Sequence, residues 1–323
     1  MSAEVLITRA LPQPGAALLE AAGLRVHMSP HDRPISPREL RAGVASAEAL
    51  LCMLTDRVDA ELLDAAPNLR VIANYAVGFD NIDVAEARRR GIEVTTTPDV
   101  LTEATADLTW ALLLSAARQL GAGERMVRAG QWQGWAPDQL LGQPVAGRVL
   151  GIVGMGAIGR AVARRAQGFG MAVRYFNRRR VEPAVEAELG AQYVPLDELL
   201  ATADFVSLHA PRNEQSHRLI DAAALARMKS TAVLINTGRG TLIDEAALVD
   251  ALRAGHIAAA GLDVFEREPE LAAGLIELDN VVLAPHLGSA STEARASMVR
   301  LCSENIIEVL GGRPALTPAP HRD

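Results

Sequence analysis

The segment from Val149 to Arg160 constrains this chain most. Val149-Leu150-Gly151-Ile152-Val153 carries no charge and runs straight into Gly154-Met155-Gly156-Ala157-Ile158-Gly159, after which a helical pattern begins. A buried strand, a G-x-G-x-x-G turn and a helix in that order make the phosphate-binding start of a Rossmann unit. Gly154 permits the tight turn, Gly156 lets a pyrophosphate reach the backbone, and Gly159 lets the helix pack close to the strand. The first amides of the helix have no intrahelical partner and face the anion. A dinucleotide is therefore expected on Gly154, Met155, Gly156, Ala157, Ile158 and Gly159.

That turn lies near the middle of 323 residues, a length for which two domains are the natural prior. Before it, short runs rich in Val, Ile and Leu recur at Val5 to Ile7, Leu24 to Met28, Ala49 to Leu54, Val71 to Tyr75 and Ile92 to Thr96. Stretches with helical spacing, such as Pro37 to Ala47 and Val84 to Arg90, separate them. After Val149 to Val153 a second series follows at Val173 to Phe176, Phe205 to His209, Ala232 to Asn236, Ala260 to Val264 and Val281 to Ala284. These runs do not alternate with polar residues, so their strands should be buried on both faces, in parallel sheets covered by helices. An α/β protein of two domains is predicted, with the Rossmann unit inserted into the other domain. Residues 1–101 and 288–323 would form the outer domain and 102–287 the dinucleotide domain. One long helix over Thr102 to Gly121 should begin the insertion, with Thr102 as cap and Gly121 as stop. A closing helix over Thr292 to Leu310 should end at Gly311-Gly312. Any disorder should lie after Pro314.

The formal charge of -7 argues against a nucleic-acid surface, which needs a concentrated positive field. Cys52 and Cys302 lack CxxC spacing and read as buried thiols, with no disulfide and no metal site. Glu4 and Arg9 interrupt any signal-peptide apolar region, and Leu108 to Ala117 is too short to span a bilayer. A cytoplasmic protein with no membrane partner is expected.

About twenty residues past the turn, where enzymes that use NAD place an acid on the ribose hydroxyls, the chain reads Tyr175-Phe176-Asn177-Arg178-Arg179. A carboxylate there would repel a 2′-phosphate. Asn177 can instead hydrogen-bond it, and Arg178 or Arg179 can pair with it through a charged fork. NADP(H) is thus preferred, with NAD(H) possible. If the arginines are only a solvated charge run, the choice of cofactor stays open.

Three polar residues follow predicted strands at their C-terminal ends, where open parallel sheets build sites: Arg239 in Asn236-Thr237-Gly238-Arg239-Gly240, Glu268 after Asp263, and His286 after Pro285. The trio suits hydride transfer to a 2-keto acid. Arg239 would bind the carboxylate and polarise the carbonyl. His286 would give the carbonyl oxygen its proton, and Glu268 would hold the imidazole in orientation and in its protonated form. Taken singly, each also reads as a loop residue without a catalytic task. His209, ending a strand, reads as a packed histidine, and His27, His31, His217, His256 and His321 as surface residues.

Asn74 to Asp83, Thr102 to Leu108, the glycine turn, Asn236 to Gly240, Gly261 to Pro269 and Pro285 to Ala290 together resemble the D-isomer-specific 2-hydroxyacid dehydrogenases, and most closely their glyoxylate/hydroxypyruvate reductase branch. The resemblance covers nearly the whole chain. It implies a Rossmann domain inserted in a flavodoxin-like substrate domain, with Arg239, Glu268 and His286 as the catalytic residues. It further implies that backbone amides of Val77 and Gly78 hold the substrate carboxylate. Thr105 and Asp263 would contact the nicotinamide end, and Ala210, Pro211, Thr237 and Gly238 would line the cofactor channel. Gly238 departs from the pattern, which usually has alanine or serine there. The resemblance also implies a homodimer packed through the Rossmann domain. Trp132 and Trp135 read as core packing or as a dimer contact.

The reaction so expected is reduction of a small 2-keto acid, glyoxylate or hydroxypyruvate, to the (D)-2-hydroxy acid. A bulkier 2-keto acid or phosphoglycerate is the alternative substrate. A non-catalytic, nucleotide-sensing corepressor on the same scaffold is the alternative from another class.

Overall fold

Short apolar strands with little polar alternation suit parallel sheets covered on both faces. Two such sheets are present in the computed structural model, which describes residues 3–320. The chain divides into two units, Met1–Leu101 with Ser289–Asp323, and Thr102–Gly288.

In the first unit, β1 (Glu4–Ile7), β2 (Arg25–Met28), β3 (Ala49–Cys52), β4 (Val71–Asn74) and β5 (Glu93–Thr95) pair in the order β2-β1-β3-β4-β5, every ladder parallel. This is the flavodoxin-like order. One face is covered by Leu40, Val44, Leu62, Leu63 and Ala87 from helices Pro37–Val44, Ala60–Asp64 and Val84–Arg89. Helix Thr292–Leu310 packs against β3, β4 and β5 and buries Met298, Val299, Cys302 and Ile306. The unpaired first amides of these helices are met by side chains at their N-termini. Ser36, Asp59, Asp83 and Ser291 each accept from an amide three residues on, and Ser36 and Glu39 complete a capping box. The tail after Pro314 is placed against the first sheet as far as residue 320. Thr317 O accepts from Thr96 N at 3.1 Å and Ala319 N donates to Val94 O at 2.7 Å, which ties the tail alongside β5.

In the second unit, β6 (Val149–Val153), β7 (Ala172–Phe176), β8 (Ala191–Tyr193), β9 (Phe205–Leu208), β10 (Val233–Asn236), β11 (Ala259–Leu262) and β12 (Val281–Leu283) pair in the order β12-β11-β10-β9-β6-β7-β8. All pairs are again parallel. Counted from β6, the first six strands follow the Rossmann order 3-2-1-4-5-6, with β12 added at one edge. The sheet carries an apolar layer on each face. Trp110, Leu113, Val162 and Tyr175 belong to one, and Leu200, Leu225, Leu248 and Leu252 to the other.

Two elements differ from expectation. Strand β8 is additional to the expected runs. The predicted helix over 102–121 ends at Ala117, and a separate helix, Leu120–Arg128, follows. Gln119 between them takes φ +51°, a left-handed turn that breaks the i to i-4 ladder. Gly121 therefore sits inside the second helix and stops neither. Trp132 and Trp135 are 55% and 84% exposed, so neither packs in the core. No helix among the described residues is long and apolar enough to cross a membrane.

Candidate active site

The glycine turn follows β6, and its three glycines have different surroundings. A Cβ on Gly154, whose φ is +103°, would lie 2.6 Å from the His209 carbonyl carbon, so only glycine fits against the β9 strand end. A Cβ on Gly159 would lie 2.1 Å from Gly154 O. Helix Ala157–Ala166 can start this close to the strand only because that atom is missing. Gly156 is the opposite case, since nothing lies within 4 Å of where its Cβ would stand. That helix has no side-chain cap and no acidic residue in its first turn, and Arg160 N, at 2.9 Å from Gly156 O, is the first amide to find a carbonyl inside it. Open space beside uncapped amides at a positive helix end fits a pyrophosphate.

At the end of β7, Asn177 Oδ1 accepts from Met155 N at 2.7 Å. This contact fixes the amide orientation, because a backbone N–H can donate only to the oxygen. It leaves Asn177 with the two donors of its NH2 group. Arg178 is exposed and donates to Gln215 Oε1 at 3.1 Å; Arg179 is exposed beside it. Arg180 is spent on structure, in a two-point pair with Glu186 at 2.7 and 2.6 Å.

Arg239, Glu268 and His286 are all partly exposed loop residues of the second unit, following β10, β11 and β12. His286 Nδ1 donates to Glu268 Oε2 at 2.8 Å, and Glu268 Oε1 accepts from Phe265 N at 3.1 Å. Burial alone would raise the Glu268 carboxyl. The His286 hydrogen bond and charge, the Phe265 amide and the Arg239 charge outweigh it and hold the group below the usual carboxylate range. With Nδ1 engaged, the free nitrogen of the ring is Nε2. Arg239 Nη1 donates to Gly238 O at 2.8 Å, which sets one side of its guanidinium against its own loop.

His286 has φ +56°, the left-handed region that a side chain with a Cβ avoids at a cost on the order of 1–3 kcal/mol. Its backbone N donates to Asp263 O at 2.9 Å. Leu287 N and Gly288 N donate to Asp263 Oδ1 and Oδ2 at 2.6 and 2.8 Å. Asp263 is 1% exposed, and burial pushes its carboxyl up.

Two positioning residues were not singled out from the sequence. Asn236 Oδ1 accepts from Gly238 N at 3.0 Å, and its Nδ2 donates to Arg239 O at 2.9 Å, so one buried amide staples the loop that carries the arginine. Glu245, 5% exposed, accepts from Glu266 N at 2.6 Å and anchors the loop that carries Glu268. A polar residue closing an apolar strand run was the available signal for Asn236.

The other expected contacts are placed as follows. Thr105 and Thr237 are buried and joined through Thr109, whose Oγ1 donates to Thr105 O and pairs with Thr237 Oγ1, both at 2.8 Å. Gly238 is tight though not closed to a side chain, with Leu208 O 3.1 Å from a Cβ there. Ala210 N lies beside Gly154, and Pro211 O accepts from Ser216 Oγ at 2.7 Å. In the first unit, the loop after β4 is tied by Asn74 Nδ2 donating to Gly78 O at 2.8 Å, while the amides of Val77 and Gly78 donate to nothing among the described residues. His209 is packed as expected. Its Nε2 pairs with Ser207 Oγ at 2.8 Å, and burial lowers it to about 4, so the ring is neutral. His27, His31, His217 and His256 are exposed, and His321 lies outside the described residues.

Residues 110–288 match the NAD binding domain of the D-isomer specific 2-hydroxyacid dehydrogenases. The chain is 49% identical over 316 residues to a glyoxylate reductase of Thermococcus onnurineus, covering 97% of this chain and 94% of that one. A solved structure of a protein from Thermus thermophilus is 46% identical and superposes with a TM-score of 0.92 over 98% of this chain and 100% of that one. An NADPH-dependent glyoxylate/hydroxypyruvate reductase of Sinorhizobium meliloti, solved with NADP and malonate, is 34% identical with a TM-score of 0.85 over 100% and 99% of the two chains. With a family domain over more than half its length and relatives near half identity over almost all of it, the chain is an oxidoreductase that belongs to the D-isomer specific 2-hydroxyacid dehydrogenase family.

Proposed function

We propose that the protein reduces glyoxylate or hydroxypyruvate, with NADPH preferred as donor, and that hydroxypyruvate yields the D-hydroxy acid. The observation that carries this reading is the His286–Glu268 pair at 2.8 Å with Nε2 left over, beside the Arg239 charge. Bound NADPH supplies the hydride. His286 Nε2 gives its proton to the carbonyl oxygen while Glu268 holds the ring from Nδ1. Arg239 stabilises the negative charge gathering on that oxygen. The amides of Val77 and Gly78 hold the substrate carboxylate. The name of the Thermococcus relative supports a small 2-keto acid as substrate, and the NADP complex of the Sinorhizobium protein supports the cofactor.

Preference for the 2′-phosphate rests on Asn177. With its oxygen held by Met155, it offers the ribose edge only donors, which match phosphate oxygens, and Arg178 and Arg179 add positive charge. Asp263, Thr105, Thr237, Gly238, Ala210 and Pro211 complete the proposed cofactor contacts.

We assign the protein as a homodimer. Leu120, Val127, Trp132, Trp135 and Leu141 are each more than half exposed within one short stretch of the second unit, a concentration of apolar surface that a second copy would cover.

The test of the reaction is His286→Ala assayed with glyoxylate and NADPH. Turnover should fall by ~10²-fold or more, with NADPH still bound. Turnover within a few-fold of the parent protein would remove His286 from the role of proton donor.

A further inference from the structure

His286 must turn Nδ1 onto Glu268, and it does so from a backbone conformation that is unfavourable for a residue with a Cβ. Nothing in Pro285-His286-Leu287-Gly288 imposes that conformation locally, since the only glycine follows two residues later. Asp263 imposes it from outside. Its main chain extends the sheet pattern, with its N–H on Asn236 O at 2.9 Å and its carbonyl taking the His286 amide at 2.9 Å. Its side chain then curls under the same loop and takes the next two amides, one on each oxygen, at 2.6 and 2.8 Å. Three consecutive amides therefore end on one residue. A Cβ on Gly288 would come within 3.4 Å of Asp263 Oδ2 and of Thr105 Cγ2, so the loop also sits close against its anchor.

We propose that Asp263 is a positioning residue that latches His286 in the left-handed conformation, both carboxylate oxygens being used on the Leu287 and Gly288 amides. This goes beyond its expected contact with the nicotinamide end and rests on the reading of His286 as proton donor. The two oxygens do separate work, so the conservative amide cannot replace the carboxylate. In Asp263→Asn one amide keeps an acceptor, and the other faces the NH2 group, donor against donor.

The test compares the full-length protein with Asp263→Asn in two measurements. Amide hydrogen exchange over the segment 285–288, which needs no turnover, should show Leu287 and Gly288 protected in the parent although the Leu287 side chain is exposed. Exchange at one of them should quicken by about tenfold or more in the variant, as local opening becomes easier. Steady-state assays with glyoxylate should show kcat lowered by ~10²-fold, the scale of a catalytic group misplaced by about an ångström. That loss is read at saturating NADPH, because Asp263 is also a proposed cofactor contact and its replacement can weaken binding as well. Rapid exchange of both amides in the parent protein would overturn the latch. So would an unchanged exchange pattern in the variant. Should the variant fold poorly, the parent's own exchange pattern still decides the matter. Protection without activity towards any 2-keto acid would leave the latch standing and sink the proposed reaction instead.

Discussion

Replacing Gly240 with alanine joins the packing of the second unit to its chemistry in one experiment. A Cβ there would stand 1.9 Å from the Phe265 carbonyl carbon, 2.0 Å from its oxygen and 2.4 Å from Glu266 N. All three are backbone atoms, so no side chain can swing away. The two loops must part by about 1.5 Å to restore ordinary van der Waals contact. Forced overpacking of this kind costs ~1–3 kcal/mol. For a unit the size of Thr102–Gly288, each kcal/mol lowers the melting temperature by roughly 2–4 °C. A fall of roughly 2–12 °C is the expectation. The displaced segment is the one whose Phe265 amide and Glu266 amide hold Glu268 and Glu245, so the His286–Glu268 bond should open with it. A displacement of this size should cost ~10²-fold in kcat. Thermal melting of the cofactor-free protein and steady-state reduction of glyoxylate measure the two effects separately. A variant that melts within about 1 °C of the parent and turns over within about twofold would refute the reasoning, because even the low end of the overpacking cost exceeds that margin.

Three further variants probe neighbouring steps of the account. Gly156→Ala meets no atom, so the cofactor-free protein should melt as the parent does while NADPH affinity drops by about tenfold or more, as read by fluorescence titration. A lowered melting point with unchanged affinity would contradict the assignment of that open space to the pyrophosphate. Arg178→Ala with Arg179→Ala should raise KM for NADPH by about tenfold and leave KM for NADH nearly unchanged; equal shifts would remove these arginines from cofactor choice. Glu268 has a folded-state value held below its ordinary one, so its pairing stabilises the fold above the ordinary carboxylate range. That contribution disappears as pH falls through the range towards the folded value. Glu268→Gln should accordingly flatten the acid side of a stability-against-pH curve measured by urea unfolding, and an unchanged curve would show that the pair contributes nothing to folding.

What the sequence made legible follows from how local each signal is. The glycine turn and the strand ends were readable because their chemistry lies within a few consecutive residues. The strand β8 was not. Ala191-Gln192-Tyr193 is three residues long, pairs on one side only and exposes Gln192, so no apolar run announces it. The helix break at Gln119 was hidden for a different reason. Arg118-Gln119-Leu120 has ordinary helix propensity, and neither proline nor glycine marks the left-handed residue. The roles of Asp263 and Glu245 depend on which distant amides the fold brings to them, 21 to 25 residues away in sequence. Asn177 shows the intermediate case: its position past β7 was legible, whereas the use of its oxygen on the glycine turn required the fold.

The most direct test of the central claim is the oxidation of NADPH and of NADH, followed by absorbance, when the purified protein is given glyoxylate, hydroxypyruvate, pyruvate and phenylpyruvate in turn. The account predicts oxidation with the first two, faster with NADPH than with NADH at equal concentration. Absence of oxidation of either cofactor with all four acids would contradict it.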